Sequence, residues 1–317
     1  MKELCTHIED MLLYKESLGY SRKTYEGFLN DFASYVKTYH PGAVCLSEDI
    51  ALGWCVKRGT EKASGFRRRC CALREFSKYL YAVGASEYIL PTDFYPVMQR
   101  YMPYIFADQE LANIFDASDR ETHDKNAPCQ HLIISVIYRL IYFCGLRPNE
   151  GRELRKNDVD LENGTLFIRK NKAHRERLIP MASDVIDMCR DYYEKVSLIF
   201  PDSEYFFPAP CGTPYSAKWL TAHFLKLWNA VKPTGNSARI RVYDLRHRYA
   251  TAVLIKWMNE KANLYVMLPY LSSYMGHACF EDTAYYIHLL PENLLNSAAI
   301  DWTKFSELIP EVSHYEQ

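Results

Sequence analysis

Five side chains suited to phosphate chemistry are spread over the second half of the sequence, each where the local pattern changes. Arg147 follows the apolar part of YRLIYFCGLRPNEGREL, Lys172 lies in a polar tip, Arg246 lies in YDLRHR, and His277 and Tyr286 lie in YMGHACFEDTAYYIH. The planar fork of arginine matches two phosphate oxygens, and lysine can release a proton when cationic neighbours lower its pKa. Together these residue types suit the cleavage of a phosphodiester: they can hold it, spread the charge of its pentacoordinate transition state and attack it with a phenol.

Nothing in the sequence suggests a metal or another cofactor. The 10 cysteines are scattered without a CxxC pair, which is typical of buried free thiols in a reducing cytosol and argues against a zinc site. No apolar run approaches the roughly 20 residues needed to span a bilayer, and acids interrupt the first apolar stretch, unlike in a signal peptide. We therefore predict a cytoplasmic protein that uses no cofactor and has no membrane partner.

The segments around these residues resemble, in order, the motifs of the tyrosine recombinase (phage integrase-like) family. CGLRPNEGREL resembles the family's first arginine box, NKAHRERLIPM its β-hairpin lysine segment, YDLRHRYATAVL its His-x-x-Arg box and LSSYMGHACFEDTAYYIHL its terminal Gly-His and Tyr box. Arg246 and Tyr286 are 40 residues apart, and His277 precedes the tyrosine by nine. The order Arg, Lys, Arg, His, Tyr is the order found in the family.

The resemblance implies a role for each of these positions. Arg147 and Arg246 would hold the scissile phosphate, and His277 would hydrogen-bond one of its non-bridging oxygens. Lys172 would protonate the departing 5′-oxygen. Tyr286 would attack the phosphorus and leave a 3′-phosphotyrosyl bond, which conserves the energy of the broken linkage, so that neither ATP nor a metal ion is needed.

The resemblance also draws attention to two further positions, Glu150 and Tyr243. Glu150 would orient the residues that contact the phosphate. Tyr243 stands where the second box usually begins with histidine. A phenol can donate a hydrogen bond to phosphate but is a poor general base at neutral pH. The neighbouring His247 is a common family residue and not an obvious replacement, so the group that removes the proton from Tyr286 is left unassigned.

Alternatives stay open at four positions. His277, which follows a glycine, could instead be a turn histidine. Arg147 could instead cap the end of the apolar helix, where a cation interacts favourably with the helix dipole. Tyr285 competes with Tyr286; on a helix the two side chains point about 100° apart, so only one can face the site, and the Gly-His spacing favours Tyr286. The lysine at the polar tip has cationic rivals close by: Lys170, His174 and Arg175.

A protein that binds duplex DNA needs a basic surface. Because the net charge of this chain is only −1, that surface must be a local cluster of Lys and Arg. Residues 57–74 contain seven Lys and Arg against one Glu, and residues 238–248 contain four Arg and one Asp. A solvated helix end is the alternative interpretation of the first cluster. The side chains predicted to contact DNA are Lys57, Arg58, Lys62, Arg67, Arg68, Arg69, Arg239, Arg241 and Arg248.

Apolar periodicity predicts the elements that position these residues. Residues 1–88 show helical spacing and are predicted to form a helical bundle that resembles the family's DNA-binding (core-binding) domain. Residues 89–104 are punctuated by proline and are predicted to be a linker. Residues 105–290 would form the catalytic domain, in which residues 164–181 alternate like a β-hairpin or a three-stranded ribbon. The predicted fold class is mainly α, with a small antiparallel β-sheet in the mostly helical catalytic domain (α+β).

The function that the resemblance implies is site-specific DNA recombination. The apolar tail, residues 291–317, would dock on a neighbouring protomer and link cleavage to a homo-tetramer on DNA; folding back on its own domain is the alternative. The free chain could be a monomer, and nothing in the sequence identifies accessory DNA-bending proteins. Two other functions remain open. One is a type IB topoisomerase, against which the two-domain length and the tail count; the other is a DNA-binding regulator without catalysis, which Tyr243 favours.

Overall fold

The computed structural model describes the following parts of the chain: residue 4, residues 6–92, residue 94, residues 101–169 and residues 176–290. The chain divides into two compact units, Met1–Tyr101 and Met102–Gln317. Separate clusters of buried apolar side chains fill the two units. None of the helices described is long and apolar enough to cross a membrane.

The first unit is a helical bundle, as the apolar spacing predicts. Its helices are α1 (Thr6–Ser17), α2 (Glu26–Tyr39), α3 (Glu48–Trp54) and α4 (Ala63–Ala82). Phe32 of α2 and Phe76 of α4 are fully buried, and Trp54 meets Phe32 edge-on with ring centroids 5.3 Å apart. The Ser47 hydroxyl caps α3 by accepting a hydrogen bond from the amide of Ile50. Large aromatic side chains at the centre therefore hold α2, α3 and α4 together.

The second unit is built around one apolar helix. Its helices are α5 (Asp108–Asp119), α6 (Gln130–Phe143), α7 (Pro148–Arg152), α8 (Ser183–Ile199), α9 (Ala217–Val231), α10 (Tyr243–Asn259), α11 (Leu264–Met275) and α12 (Glu281–Ala284). In α6 the side chains of Tyr138, Leu140 and Ile141 are fully buried. The Tyr138 hydroxyl donates to the carbonyl of Leu220 on α9 at 2.8 Å. The buried helix that the sequence predicts is thus the centre of the unit's core.

A small antiparallel sheet accompanies these helices and confirms the predicted fold class. Its strands are β1 (Val159–Asp160), β2 (Thr165–Ile168) and β3 (Arg177–Pro180), in the order β1-β2-β3. Leu166 lies opposite Ile179 in the register, and both are fully buried. The predicted polar tip between β2 and β3, which contains Lys172, lies outside the described residues, as does the tail from residue 291.

The end of the described chain packs onto α10 and α11. Ala250 and Leu254 of α10 form a buried cluster with Leu268 and Leu271 of α11 and with Ile287. Because this last segment is anchored by its apolar residues, the side chains beside Ile287 are held against α10.

Candidate active site

The position of Arg147 is set by a glycine turn and a proline start. Gly145, just after α6, has a φ of 58°. This left-handed backbone conformation favours glycine, because a Cβ makes it sterically strained for other residues. A Cβ at this position would lie 2.6 Å from the ring of Tyr249. Pro148 is the first residue of α7, where its missing N–H and fixed φ suit a helix start. The Gly-Leu-Arg-Pro sequence therefore turns the chain sharply and leaves Arg147 at the corner.

Glu150 accepts four hydrogen bonds from Arg147 and Arg177 at the centre of this corner. Its carboxylate accepts the backbone N–H of Arg147 and the Nη1 of the same residue, both at 2.8 Å. Arg177 of β3 donates to both carboxylate oxygens, at 3.0 and 2.7 Å. Burial alone would raise the pKa of Glu150, but the hydrogen bonds and charges of Arg177 and Arg147 outweigh it and lower the pKa to about 2. Glu150 is therefore ionised and fixes the guanidinium of Arg147.

The two arginines of the predicted clamp are held by backbone carbonyls. Arg147 Nη2 donates to the carbonyl of Gly276 at 2.8 Å. Arg246 donates from Nη1 to the carbonyl of Gly145 at 2.6 Å and from Nη2 to that of Met275 at 2.5 Å. Burial lowers the pKa of Arg246, yet a guanidinium keeps its charge through the ordinary pH range. The loops that follow α6 and α11 therefore meet at two oriented cations.

His277 is neutral and has both ring nitrogens engaged. Its Nε2 lies 3.1 Å from Nη2 of Arg246, and its Nδ1 lies 2.6 Å from the hydroxyl of Thr283. Since arginine only donates, Nε2 accepts and the ring proton belongs on Nδ1. Burial, reinforced by the charges of Arg246 and Arg147, lowers the pKa of His277 to about 3. To donate to a phosphate oxygen from Nε2, His277 must release Arg246 and carry a proton on Nε2.

Tyr286 is buried against the same groups. Its side chain is 2% exposed, and its ring lies 5.7 Å from that of His277 and 5.5 Å from that of His247, centroid to centroid. Burial raises the pKa of Tyr286 to about 12, although the charge and hydrogen bond of Arg246 oppose the rise. The neighbouring Tyr285 is only partly buried. The phenol of Tyr286 is thus protonated at neutral pH and needs a proton acceptor before it can attack.

Tyr243 begins α10 beside these residues. Its ring lies 5.0 Å from that of His247. Burial would lower the pKa of Arg147, but the hydrogen bonds that Arg147 donates to Glu150 and Tyr243 help to raise it. The structure thus brings six predicted site residues into one region: Arg147, Glu150, Tyr243, Arg246, His277 and Tyr286.

Comparison with known proteins shows the family to which the chain belongs. The model of the phage integrase family matches residues 105–293, which include all six of these residues. The chain belongs to the phage integrase family. It is similar to the y4rE protein of Sinorhizobium fredii, named as an integrase/recombinase, with 31% identity over 88% of this chain and 90% of the relative. It is also 25% identical to the tyrosine recombinase XerD of Rhizobium meliloti, over 90% of each chain.

Solved structures of a recombinase and of an integrase share the fold. The XerH recombinase bound to its palindromic difH substrate matches with a TM-score of 0.65 and 18% identity, over 94% of this chain and 85% of that one. The Tn1549 transposon integrase in complex with a circular intermediate DNA matches with a TM-score of 0.63 and 14% identity, over 97% of this chain and 99% of that one. The predicted family resemblance and the mainly helical fold with a small sheet are therefore confirmed.

Two further residues of the candidate site were not predicted from the sequence, Arg177 and Thr283. Arg177 holds Glu150 and donates from Nε to the carbonyl of Tyr274 at 2.9 Å. A signal for it exists, because residues two apart on a strand share a face and Ile179 is apolar. An arginine on the buried face of β3 needs an anionic partner. Thr283, which hydrogen-bonds His277 and is fully buried, has no such signal in the sequence.

The basic residues of the first unit border a groove. Arg58, Arg67 and Arg68 line it together with Lys23, and its volume is about 870 Å³. Arg68 is exposed, while Arg58 forms an ion pair with Asp31 at 2.5 Å. Two other predicted DNA-binding residues of this unit, Lys57 and Lys62, are exposed. In the second unit the exposed Arg239 and Arg241 line a smaller pocket of about 280 Å³.

The prediction that Arg69 and Arg248 contact DNA is corrected, because both side chains are largely buried and paired with acids. Arg69 is 2% exposed and donates to Glu61 and to the carbonyl of Val56. The Arg248 side chain is 12% exposed, pairs with Asp108 and donates to a backbone carbonyl on the approach to α5. Both guanidinium groups are used inside the fold, so we leave both out of the DNA-binding set. In the part of the chain that the structure describes, no group of three or more His, Cys, Asp or Glu is arranged to hold a metal ion.

Proposed function

We propose that this chain is a site-specific recombinase that cuts and rejoins duplex DNA through a 3′-phosphotyrosyl intermediate on Tyr286. The observation that carries the proposal is that the buried Tyr286 ring stacks on His277, which hydrogen-bonds the buried guanidinium of Arg246, within a network that also holds Arg147. Family membership supports the reaction class. The XerH and Tn1549 structures, both complexes with DNA, support duplex DNA as the partner.

In the proposed reaction, Arg147 and Arg246 bind the non-bridging oxygens of the scissile phosphate. Their guanidinium groups are already oriented by Glu150 and by backbone carbonyls, so little reorganisation is needed as negative charge develops. The Tyr286 oxygen forms a bond to phosphorus while the bond to the 5′-oxygen breaks. Lys172 gives the leaving oxygen its proton. Rejoining is the reverse reaction with the 5′-hydroxyl of another strand.

The different exposures of the site residues suggest the order in which they meet the phosphate. Arg246 is 0% exposed and Tyr286 is 2% exposed, whereas the Arg147 side chain is 27% exposed and Tyr243 is partly exposed. We propose that a phosphate first meets Arg147 and Tyr243. Arg246 then exchanges its carbonyl contacts and its contact with His277 for phosphate oxygens, which frees Nε2 of His277 to take part.

The remainder of the chain is proposed to hold the DNA and the assembly. Residues 1–88 would bind duplex DNA through the basic groove, and residues 105–290 would carry the chemistry, with residues 89–104 as the linker. Phosphate contacts would supply most of the affinity. Residues 291–317 would dock on a neighbouring protomer in a tetramer, so that cleavage is tied to assembly.

A suicide duplex, nicked just past the cleavage point and built from the sequences that flank the gene, tests the proposal. We expect a covalent adduct on the 3′ side of the break that disappears in Tyr286→Phe. Tyr285→Phe is the matched control, because it removes the neighbouring hydroxyl, and should still form the adduct. An adduct that persists in Tyr286→Phe would show that another residue attacks.

A DNA-binding regulator of the same fold is the second candidate. The observation that favours it is Tyr243 at the usual histidine position, because a phenol is a poor base at neutral pH. Specific DNA binding with no adduct on any suicide duplex would support this candidate. If adducts form, strand exchange between two duplexes distinguishes a recombinase from a topoisomerase, which relaxes a single circle.

A further inference from the structure

The proposed reaction lacks a group to accept the proton of Tyr286. The phenol is buried and its pKa is raised to about 12, so it is protonated at neutral pH. Tyr243 stands where the family usually has histidine and is not suited to the task. Any assignment of that acceptor rests on the proposed function, in which the Tyr286 oxygen attacks the phosphate.

Two other candidates near Tyr286 are already occupied. Glu150 is bound by Arg147 and Arg177, and its pKa of about 2 makes it a weak base. His277 accepts a hydrogen bond from Arg246 at Nε2 and is engaged by Thr283 at Nδ1. In the proposed reaction Glu150 keeps its partners. The Nε2 of His277 that Arg246 releases is used to donate to a phosphate oxygen, so neither group is placed to accept the proton of Tyr286.

His247 lies between the unusual tyrosine and the nucleophile. It follows Tyr243 by four residues on α10, so the two side chains lie on the same helix face. Its ring centroid is 5.0 Å from that of Tyr243 and 5.5 Å from that of Tyr286, with the latter pair tilted by 61°. The side chain is partly exposed, so a proton taken up there can pass on to solvent.

We propose that His247 is the general base for Tyr286, in place of the histidine whose position Tyr243 occupies. As the Tyr286 oxygen bonds to phosphorus, its proton moves to an imidazole nitrogen of His247, directly or through one water. The electron pair of the broken bond leaves with the 5′-oxygen, which receives a proton from Lys172. In the rejoining step His247 returns its proton to the departing phenolate, so the cycle closes without another reactant.

The side chains around His247 influence how readily its imidazole accepts a proton. Tyr243 faces it from α10, Tyr285 and Tyr286 face it from the segment after α12, and His277 faces it from the turn after α11. None of these four groups carries a positive charge at neutral pH, since His277 is neutral. Histidine is the side chain type whose ordinary pKa lies nearest to neutral pH, the range in which a general base is most effective.

Single-turnover adduct formation on the suicide duplex tests this assignment. We expect His247→Gln to slow adduct formation by roughly 10²- to 10⁴-fold, the usual contribution of a positioned base, without changing DNA affinity in a gel-shift assay. The rate should also lose the rise with pH that a titrating base gives. The double variant Tyr243→His with His247→Gln should recover part of the lost rate, because it puts an imidazole at the family's usual position.

His288→Gln is the matched control, because His288 is an exposed histidine close to the nucleophile in sequence. It should form the adduct at the parent rate. A parent-like rate and pH profile in His247→Gln would overturn the assignment, and so would a double variant that binds DNA but recovers nothing. In both cases adduct formation by the parent protein would leave the proposed function standing, whereas absence of an adduct in the parent protein would count against that function itself.

Discussion

Arg147 shows how a single side chain combines charge with direction. Its Nη1 donates to Glu150 and its Nη2 to the carbonyl of Gly276, so the plane of the guanidinium is fixed before any phosphate arrives. An ammonium group is a compact point charge without this fork. Orientation, rather than charge alone, is therefore the property that the site requires at this residue.

The Arg147→Lys variant separates these two properties. The charge is kept but the fork is lost, so we expect adduct formation on the suicide duplex to fall by at least about 100-fold, on the scale of losing one oriented donor. DNA affinity should change little. Arg152→Lys is a matched control on the same short helix, because Arg152 contacts Asn149, Glu153 and the carbonyl of Tyr215 instead of the site. Equal rates for the parent protein and Arg147→Lys would count against Arg147 as a clamp.

His277 should make stability depend on pH. Its pKa is about 3 in the fold against an ordinary 6.5, so only the unfolded chain takes up this proton between those values. Stability should therefore fall as pH drops below 6.5, by at most about 1.4 kcal/mol per pH unit from this group.

Urea denaturation between pH 4.5 and 6.5 measures that slope. Glu150 adds to the slope near the lower limit, because its ordinary pKa of 4.5 is lowered to about 2 and its stabilising contribution begins to be lost as pH approaches 4.5; this addition is common to the parent protein and the His277 variant. His277→Gln should have a shallower slope than the parent protein, whatever its stability at pH 7. Since burial also lowers the pKa of His131, the parent slope alone is not diagnostic, and parallel slopes would refute the prediction.

At the scale of elements, the site depends on the turn that ends α11. Gly276 has a φ of 64°, and a Cβ there would lie 2.9 Å from Nη1 of Arg177. Arg177 in turn joins β3 to Glu150 on α7 and to the carbonyl of Tyr274. One small residue therefore lets a strand, a short helix and the end of a long helix meet behind the clamp.

We predict that Gly276→Ala is costly in two ways. The left-handed backbone alone should cost about 1–2 kcal/mol of unfolding free energy, and crowding against Arg177 should disturb Glu150 and slow adduct formation. Gly212→Ala is the matched control, because Gly212 also has a positive φ, 77°, but a Cβ there would meet nothing within 4 Å. Urea midpoints and adduct rates for the two variants separate backbone strain from crowding. Indistinguishable losses would mean that contact with Arg177 is unimportant.

At the scale of the whole molecule, the net charge is small although basic side chains are concentrated at one groove. The net charge of the chain is only −1, yet Arg58, Arg67 and Arg68 border one groove of the first unit. Neutralising phosphates releases condensed counterions, so binding through such a surface weakens as salt rises. A nearly neutral protein can therefore bind DNA if its cations are concentrated in one place.

We predict that Arg68→Gln weakens DNA binding and makes it less sensitive to salt. Loss of one phosphate contact should reduce the slope of log affinity against log salt by about 0.9. Lys78→Gln is the matched control on the same helix, α4, because Lys78 is paired with Glu75 and lies outside the groove. Affinities measured by fluorescence anisotropy at several salt concentrations give both slopes. A slope in Arg68→Gln equal to that of the parent protein would exclude a phosphate contact at this residue.

The sequence by itself determined the features that local spacing encodes. Apolar periodicity indicated the helical bundle and the buried α6, and alternation indicated the strands β2 and β3, because each pattern arises directly from backbone geometry. The order of the arginine, histidine and tyrosine motifs indicated the family. These are properties of neighbouring residues, and they can be recognised without knowing what lies across the fold.

Tertiary structure alone decided which charged residues face inwards and what they bind. Arg69 is buried beside Glu61 although its cluster looks like a solvated basic face. Arg147 reaches a carbonyl 129 residues away, and Arg177 one that is 97 residues away. The cost of burying a charge depends on its partners in space. Spacing along the chain does not specify those partners, since folding brings them together from distant segments.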